Sequence, residues 1–341
     1  MQAVVNHAAA PKSVELREIP VPEIGPEEVL VEVRAVGVCG SDVHQWAGAH
    51  SWPVNYPCVL GHEFSGVVAR AGNAVRTFRE GDRITSETAA VIDPDSPLVR
   101  QGRYHLDPSR LGFGYGVDGA MAGYVRVPER CLHGIPDELT FEQAALTEPC
   151  CVAYHAVCVQ TRIRPGDHVL VLGPGPIGLL CGVMARLAGA GVVQVAGLAS
   201  DTHRLAVAER LGLVPVPAED AVEAGRALGD GLGVDVVVDA AGVSEALRTA
   251  LDAVRPGGWI TKVGWGKQPF GGSLDPLVQK AVTLQGSFSH YREIWERVLR
   301  LLASGRLDTS PLIDRIAPMK EWEEVFERMH ERTYVKAILI P

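Results

Sequence analysis

The chain of 341 residues exceeds one ordinary globular core, and at roughly 150 residues per domain it predicts about two domains. Hydrophobic residues make up 47% and charged residues 21%, a balance that excludes disordered and fibrous classes. With 32 Lys and Arg against 41 Asp and Glu, the formal charge of −9 offers no general attraction for nucleic acid or anionic lipid.

The first twenty residues carry Lys12, Glu15, Arg17 and Glu18 and no long apolar run. Neither a secretory signal nor a membrane anchor is expected there, and a cytoplasmic protein is expected. Alternation from Val29 to Val38, followed by Phe64 to Arg70, Arg83 to Thr85 and Tyr124 to Val127, predicts short strands between Gly and Pro turns. Phe141 to Leu146 predicts a helix capped by Thr140, with helical spacing continuing through Val152 to Val159 and a domain boundary near 150.

Beyond it, strand His168 to Leu172, helix Pro176 to Leu187 and strand Val192 to Ala196 form a βαβ unit. The alternation continues with helix Thr202 to Leu211, strand Val234 to Asp239, helix Ser244 to Val254, a turn at Pro256-Gly257-Gly258 and strand Trp259 to Val263. A parallel, doubly wound sheet is the expected architecture. An amphipathic helix from Glu293 to Leu302, stopped by Ser304-Gly305, and a final apolar strand from Val335 to Ile340 close the chain; that tail is expected to return to the first domain. The uncharged run from Val169 to Ala185 is interrupted by Gly173, Pro174, Gly175, Pro176 and Gly178 and falls short of the ~20 apolar residues of a bilayer span. Seven cysteines, at 39, 58, 131, 150, 151, 158 and 181, lack a disulfide framework and suit free thiols in a reducing compartment.

Gly173-Pro174-Gly175-Pro176-Ile177-Gly178 satisfies G-x-G-x-x-G directly after a strand and at the opening of a helix. The first glycine permits the tight turn, the second lets the main chain approach a pyrophosphate, and the third lets helix and strand pack closely. A ribose-binding acid is expected about 20 residues on, yet Gly197 stands there. His203 or Arg204 could pair with a 2′-phosphate in the space left, while Asp201 in the same loop could serve as a displaced ribose acid, so NAD and NADP both remain open. His203 and Arg204 as a solvated first turn is an equal alternative.

Cys39, in a segment that runs on to His44, and His62 with Glu63 supply the ligand types of a catalytic zinc, with Glu148 a further candidate at the boundary. Taken singly, Cys39 is a small buried hydrophobe, His62 a satisfied histidine and Glu148 a helix-terminal carboxylate; together they read as a ligand set. A zinc-protease helix is excluded because Gly66 stands where the second His of its signature belongs, and no Gly-x-Ser-x-Gly elbow occurs.

Cys39-Gly-Ser41-Asp42-Val-His44, Gly61-His62-Glu63 with Gly66, Gly72 and Val75, Gly173 to Gly178, Asp239-Ala-Ala-Gly242 and Pro256-Gly-Gly258 together resemble the medium-chain zinc-dependent alcohol dehydrogenases over essentially the whole chain. Glu148-Pro149 with Val152 and His155 resembles the polyol (sorbitol or L-iditol) dehydrogenases in particular. The resemblance implies a GroES-like, mainly-β catalytic domain, 1–152 with 288–341, around a Rossmann dinucleotide-binding domain, 153–287, and a homo-oligomer, dimer or tetramer. It implies reversible oxidation of a secondary alcohol of polyol or sugar-like kind to a ketone, with hydride passing to NAD or NADP. Zinc would be held by Cys39, His62 and a carboxylate, for which Glu63 and Glu148 compete. Ser41 would hydrogen-bond the substrate oxygen and pass its proton outward with His44, which as a plain structural donor is the alternative. Cofactor contacts would fall on Gly173, Gly175, Pro176, Ile177, Gly178, Gly197, Arg204, Val263, Gly264, Trp265, Phe288 and Ser289.

Departures from that family are informative. Asp93, Ser96, Val99 and Asp107 occupy positions where many relatives carry four cysteines, so one catalytic zinc and no structural zinc is expected. Gln45 replaces an aromatic after His44, and Ser289 with His290 replaces an Arg-Tyr pair, altering the polyol pocket. Trp46, Trp52 and Trp265 could build a more apolar pocket, which keeps threonine-type amino-alcohol and simple secondary-alcohol dehydrogenases as rivals. A non-catalytic nucleotide-binding protein on the same fold is the rival from another class.

Overall fold

The structure, a computed structural model, describes all residues 1–341. It forms two compact units, Met1–Glu148 with His290–Pro341, and Pro149–Ser289.

The first unit is organised on the strand Glu28–Gly37, where Val29, Val31, Val33 and Val36 turn into a core shared with Phe64, Val68, Ile84, Val125 and Leu339. The alternation of Val29, Val31 and Val33 is what a half-buried strand needs, and the register shift between Val33 and Ala35 brings Val36 into the same core. The strand pairs antiparallel with Glu63–Ala71, Tyr124–Pro128 and the last strand, Lys336–Ile340. The main sheet runs in the order Ile313–Pro318, Lys336–Ile340, Glu28–Gly37, Glu63–Ala71, Arg83–Ser86, Leu132–Gly134. A smaller sheet joins Val14–Glu18, Gln2–Asn6 and Cys58–Val59.

The helical run expected through Val159 is broken. Phe141–Ala145, closed by the reciprocal Thr140 and Gln143 capping box, ends at Leu146; Thr147–Tyr154 follows, and His155–Val159 is wound as a π-helix. Thr147 Oγ1 donates to Ala144 O at 2.8 Å, so its hydroxyl secures the break.

The second unit is a six-stranded parallel sheet in the order Val214–Pro217, Val192–Gly197, His168–Leu172, Val234–Asp239, Val254–Lys262, Thr283–Gly286. The order reverses beside His168–Leu172, the topological switch point where open α/β sheets bind ligands. The strand expected from Trp259 starts at Val254, and a register shift opposite Val234 and Val236 absorbs the Pro-Gly-Gly segment. No helix is long and apolar enough to cross a membrane.

One close approach fixes the register of the first unit. A Cβ added at Gly66 would lie 2.2 Å from Glu32 O, inside the strand pair. Gly66→Ala should therefore cost about 1–3 kcal/mol by forcing that pair apart, a loss read as a lower urea midpoint at unchanged slope. An unchanged midpoint would contradict the packing described here.

Candidate metal and dinucleotide sites

Cys39 precedes the helix Gly40–Trp46, while His62 and Glu63 lie at the start of the neighbouring strand. Cys39 Sγ, a His62 ring nitrogen and a Glu63 oxygen all fall within 4.8 Å of one another. A soft thiolate, an imidazole and a carboxylate so close together fit zinc, whose bonds to such atoms run at about 2.0–2.3 Å.

Asp42 orders this cluster. Fully buried at the third position of the helix, it accepts from Cys39 N at 2.9 Å through Oδ2 and from Gly61 N at 3.2 Å through Oδ1. Its Oδ1 also lies 3.8 Å from His62 Nδ1, which leaves Nε2 as the outward ring nitrogen. Glu63 is fully buried and bonded by Lys336 Nζ at 2.6 Å; the same ammonium donates to Val38 O at 2.9 Å. Glu148 accepts from His290 Nε2 at 3.1 Å.

Burial pushes the Glu63 carboxyl above its ordinary range, and the Lys336 charge only partly offsets that. Burial works the same way on Glu148, but the hydrogen bond from His290 outweighs it and holds that carboxyl low. For His62 burial acts downward, yet the charges of Cys39 and Asp42 outweigh it and hold the imidazole well above its usual value. Lys336 is likewise raised, burial being overcome by Glu63.

The residues expected from the sequence separate into several groups. Cys39, His62 and Glu63 come together, with Glu148 electrostatically coupled to them. Ser41 Oγ is buried and has no hydrogen-bond partner, and His44 follows it on the exposed side of the helix. Gln45 does not face a pocket: its amide donates to Gly114 O at 2.9 Å and accepts from Asn6. Trp46 is 4% exposed and packs edge-on against Phe326 at 6.3 Å, so the expectation that it lines an apolar pocket is corrected. Asp93, Ser96 and Asp107 close turns of their own, accepting from the backbone N–H groups of Asp95, Leu98 and Ser109.

Lys336 was missed by sequence reasoning, although a lysine inside the apolar run Val335 to Ile340 is a signal of a buried partner. Asp42 was legible only as part of a motif; its place three residues after Cys39 is also a capping-box spacing.

In the second unit Gly173 takes φ +98, and a Cβ at Gly178 would sit 1.9 Å from Gly173 O. The turn therefore requires both glycines, and Gly175, Pro176 and Ile177 open the helix Pro176–Leu187, whose first-turn N–H groups have no intrahelical acceptor. That is a cradle for a pyrophosphate. Val263 N and Gly264 N both donate to Asp239 O at 2.9 Å, and Trp265, 57% exposed, lies over Phe288 at 5.5 Å. Ser289, at φ 57, accepts from His155 Nδ1 at 2.8 Å. Gly197 ends its strand, and an added Cβ there would meet Pro174 Cγ at 2.8 Å and Leu205 Cδ2 at 2.9 Å, so a side chain at this position would crowd both. Asp201 is 4% exposed and its Oδ2 accepts from Leu198 N at 3.0 Å, so it closes the loop from within. Arg204 is half-buried in the first turn of the following helix.

Residues 25–137 match the family described as alcohol dehydrogenase GroES-like domain, and residues 176–304 match the family described as zinc-binding dehydrogenase. The chain is 34% identical to a D-arabitol-phosphate dehydrogenase of Enterococcus avium, over 99% of this chain and 97% of that protein. It is 34% identical to a sorbitol dehydrogenase of Halalkalibacterium halodurans, over 100% of this chain and 99% of that one. A Sinorhizobium meliloti structure described as a zinc-binding dehydrogenase bound to NADP superposes with a TM-score of 0.91 at 31% identity, over 100% of this chain and 99% of that one. The chain belongs to the zinc-binding medium-chain dehydrogenases, built from a GroES-like domain and a Rossmann-type parallel sheet. It is a zinc- and NAD(P)-dependent oxidoreductase.

The raised His62 imidazole has a measurable consequence. The upward push on the imidazole favours its protonated form, and zinc requires the unprotonated ring, so zinc competes with a proton for His62 and its binding strengthens as pH rises. Zinc added to weakly buffered, metal-free protein near neutral pH should acidify the solution, and its apparent affinity should rise between about pH 6 and pH 8. Uptake without proton release would contradict the charge balance.

Proposed function

We propose that the protein catalyses the reversible oxidation of a secondary alcohol of polyol or sugar-like kind to a ketone, using one zinc per chain and NAD or NADP. The observation that carries this is the convergence of Cys39, His62 and Glu63 donor atoms within 4.8 Å, beside a buried Ser41 hydroxyl that has no partner. The names of the E. avium and H. halodurans relatives support a polyol as substrate. Glu63 is the third ligand in this reading because its oxygen lies in the donor cluster, and Glu148 stands beside it. Non-cysteine residues at 93, 96, 99 and 107 support the absence of a second, structural zinc. The same reading keeps the division into 1–152 with 288–341 and 153–287, a cytoplasmic location and a homo-oligomer.

Cys39, His62 and Glu63 would hold zinc, which would supply Lewis-acid polarisation of the substrate oxygen, and the Gly173–Gly178 turn would hold NAD(P), which would supply a hydride acceptor. The chain supplies the rest. Ser41 Oγ accepts the hydrogen of the substrate hydroxyl, for which its lack of an internal partner leaves it available. His44, one turn along the helix and exposed, passes the proton to water. Asp42 keeps Cys39 and the Gly61–His62 backbone in register, so the ligands need not reorganise. In reverse, the same groups return the proton as the ketone is reduced.

Elemental analysis should find one zinc per chain, and Cys39→Ala or His62→Ala should lose metal and turnover together. Two tightly held zinc ions, or full turnover in either variant, would overturn the assignment. A panel of polyols, sugar phosphates, threonine and butanediol against both cofactors identifies the substrate class.

Cofactor preference rests on Arg204 in this reading, since Gly197 is enclosed by Pro174 and Leu205 and Asp201 closes its own loop. Arg204→Ala should lower kcat/KM with NADP about tenfold relative to NAD, the scale of one charge-assisted phosphate contact. An unchanged NADP/NAD ratio would remove Arg204 from cofactor recognition.

A further inference from the structure

We propose that His290 is a positioning residue for Glu148, and that Trp295 fixes the ring tautomer in which it works. Trp295 Nε1 donates to His290 Nδ1 at 2.9 Å, and His290 Nε2 lies 3.1 Å from Glu148 Oε1. An indole nitrogen is a donor only, so Nδ1 must be the acceptor and the imidazole carries its hydrogen on Nε2, facing the carboxylate. The relay is one-directional: indole to imidazole to carboxylate.

Its two rings are buried and packed. Trp295 is fully buried and His290 is 2% exposed, and the rings meet edge to face at 5.1 Å and 78°. The other side of Trp295 is stacked on His133 at 5.2 Å and 10°, and the two nitrogens of His133 lie 3.1 Å from Glu87 and 2.8 Å from Glu296. The indole therefore cannot swing away without losing its stacking on a His133 ring that is held at both nitrogens. Glu148, 142 residues from His290 in sequence, has its Oε1 fixed while its charge acts on His62. Hydrogen-bond partners that orient groups around a metal typically contribute 10–100-fold in affinity.

This inference rests on the zinc assignment proposed above, and the experiment separates the two. Zinc affinity is measured by chelator competition, and the visible spectrum of the cobalt-substituted protein is recorded, for Glu148→Ala, His290→Leu, the double variant, His290→Gln and Trp295→Phe. His62→Ala is the control. His290→Leu should weaken zinc by about 10-fold or more and shift the cobalt bands in the same sense as Glu148→Ala. The double variant should be no weaker than Glu148→Ala alone, because a residue acting only through Glu148 has nothing left to act on. His290→Gln, whose amide still offers a donor, should recover most of the loss, and Trp295→Phe should reproduce part of it. Unchanged zinc affinity in His290→Leu, or losses in the double variant that multiply, would overturn the relay while His62→Ala still abolished binding. Tight zinc binding by His62→Ala would instead overturn the metal-site reading.

Discussion

A fully buried carboxylate must be answered by a positive group or by hydrogen-bond donors, and Glu63 makes that demand at the centre of the first unit. Lys336, itself 3% exposed, answers it from the last strand of the chain, 273 residues away. The pair cannot be held unless Lys336–Ile340 lies against Glu28–Gly37, and the ladder between Ile338–Leu339 and Val36–Gly37 provides that placement. The bond from Lys336 to Val38 O ties the ammonium to the segment leading into Cys39. Removing one member of such a pair typically costs about 3–5 kcal/mol because the other is left charged and alone. Chain closure and the placement of Glu63 beside Cys39 and His62 are thus the same structural event.

The neighbouring acids obey the same constraint by other means. Asp42 takes backbone N–H groups from both ligand-bearing segments, so one side chain satisfies its own charge and aligns Cys39 with His62. Glu148 takes an imidazole N–H. Half of the Asp42 arrangement, the bond from Cys39 N, is local and follows from a helix N-terminus; its bond from Gly61 N and the partners of Glu63 and Glu148 are assembled only by tertiary packing.

That distinction explains what was legible in the sequence. Val29 to Val38, the strand–glycine–helix passage around Gly173 and the apolar final strand all announce themselves through period and turn chemistry, and each forms where it was expected. Val214–Pro217 was not recognised because two prolines and only four residues leave no period to read; it survives as an edge strand of its sheet. Cys39, His62 and Glu63 could be named from residue type and spacing, but which carboxylate enters the cluster depends on contacts between distant segments. Trp46 was misassigned for the same reason: nothing local shows that Phe326 lies beside it. Gly197 is a subtler case, since the packing of Pro174 and Leu205 against its Cα is set by a turn and a helix that the strand's own sequence does not describe.

Charge balance links these observations to reactivity. A divalent cation held by a thiolate and one carboxylate is formally neutral, and a second carboxylate at Glu148 would make the assembly anionic and blunt its pull on a substrate oxygen. Lys336 restores the balance from behind Glu63, and the Nε2–H of His290 draws on the charge of Glu148. Neither group needs to touch the substrate to matter. Because Lys336 and His290 are both buried, their influence on the two carboxylates is little screened by solvent, and in the proposed reaction it would be present before substrate arrives, the condition under which electrostatic effects contribute most to catalysis.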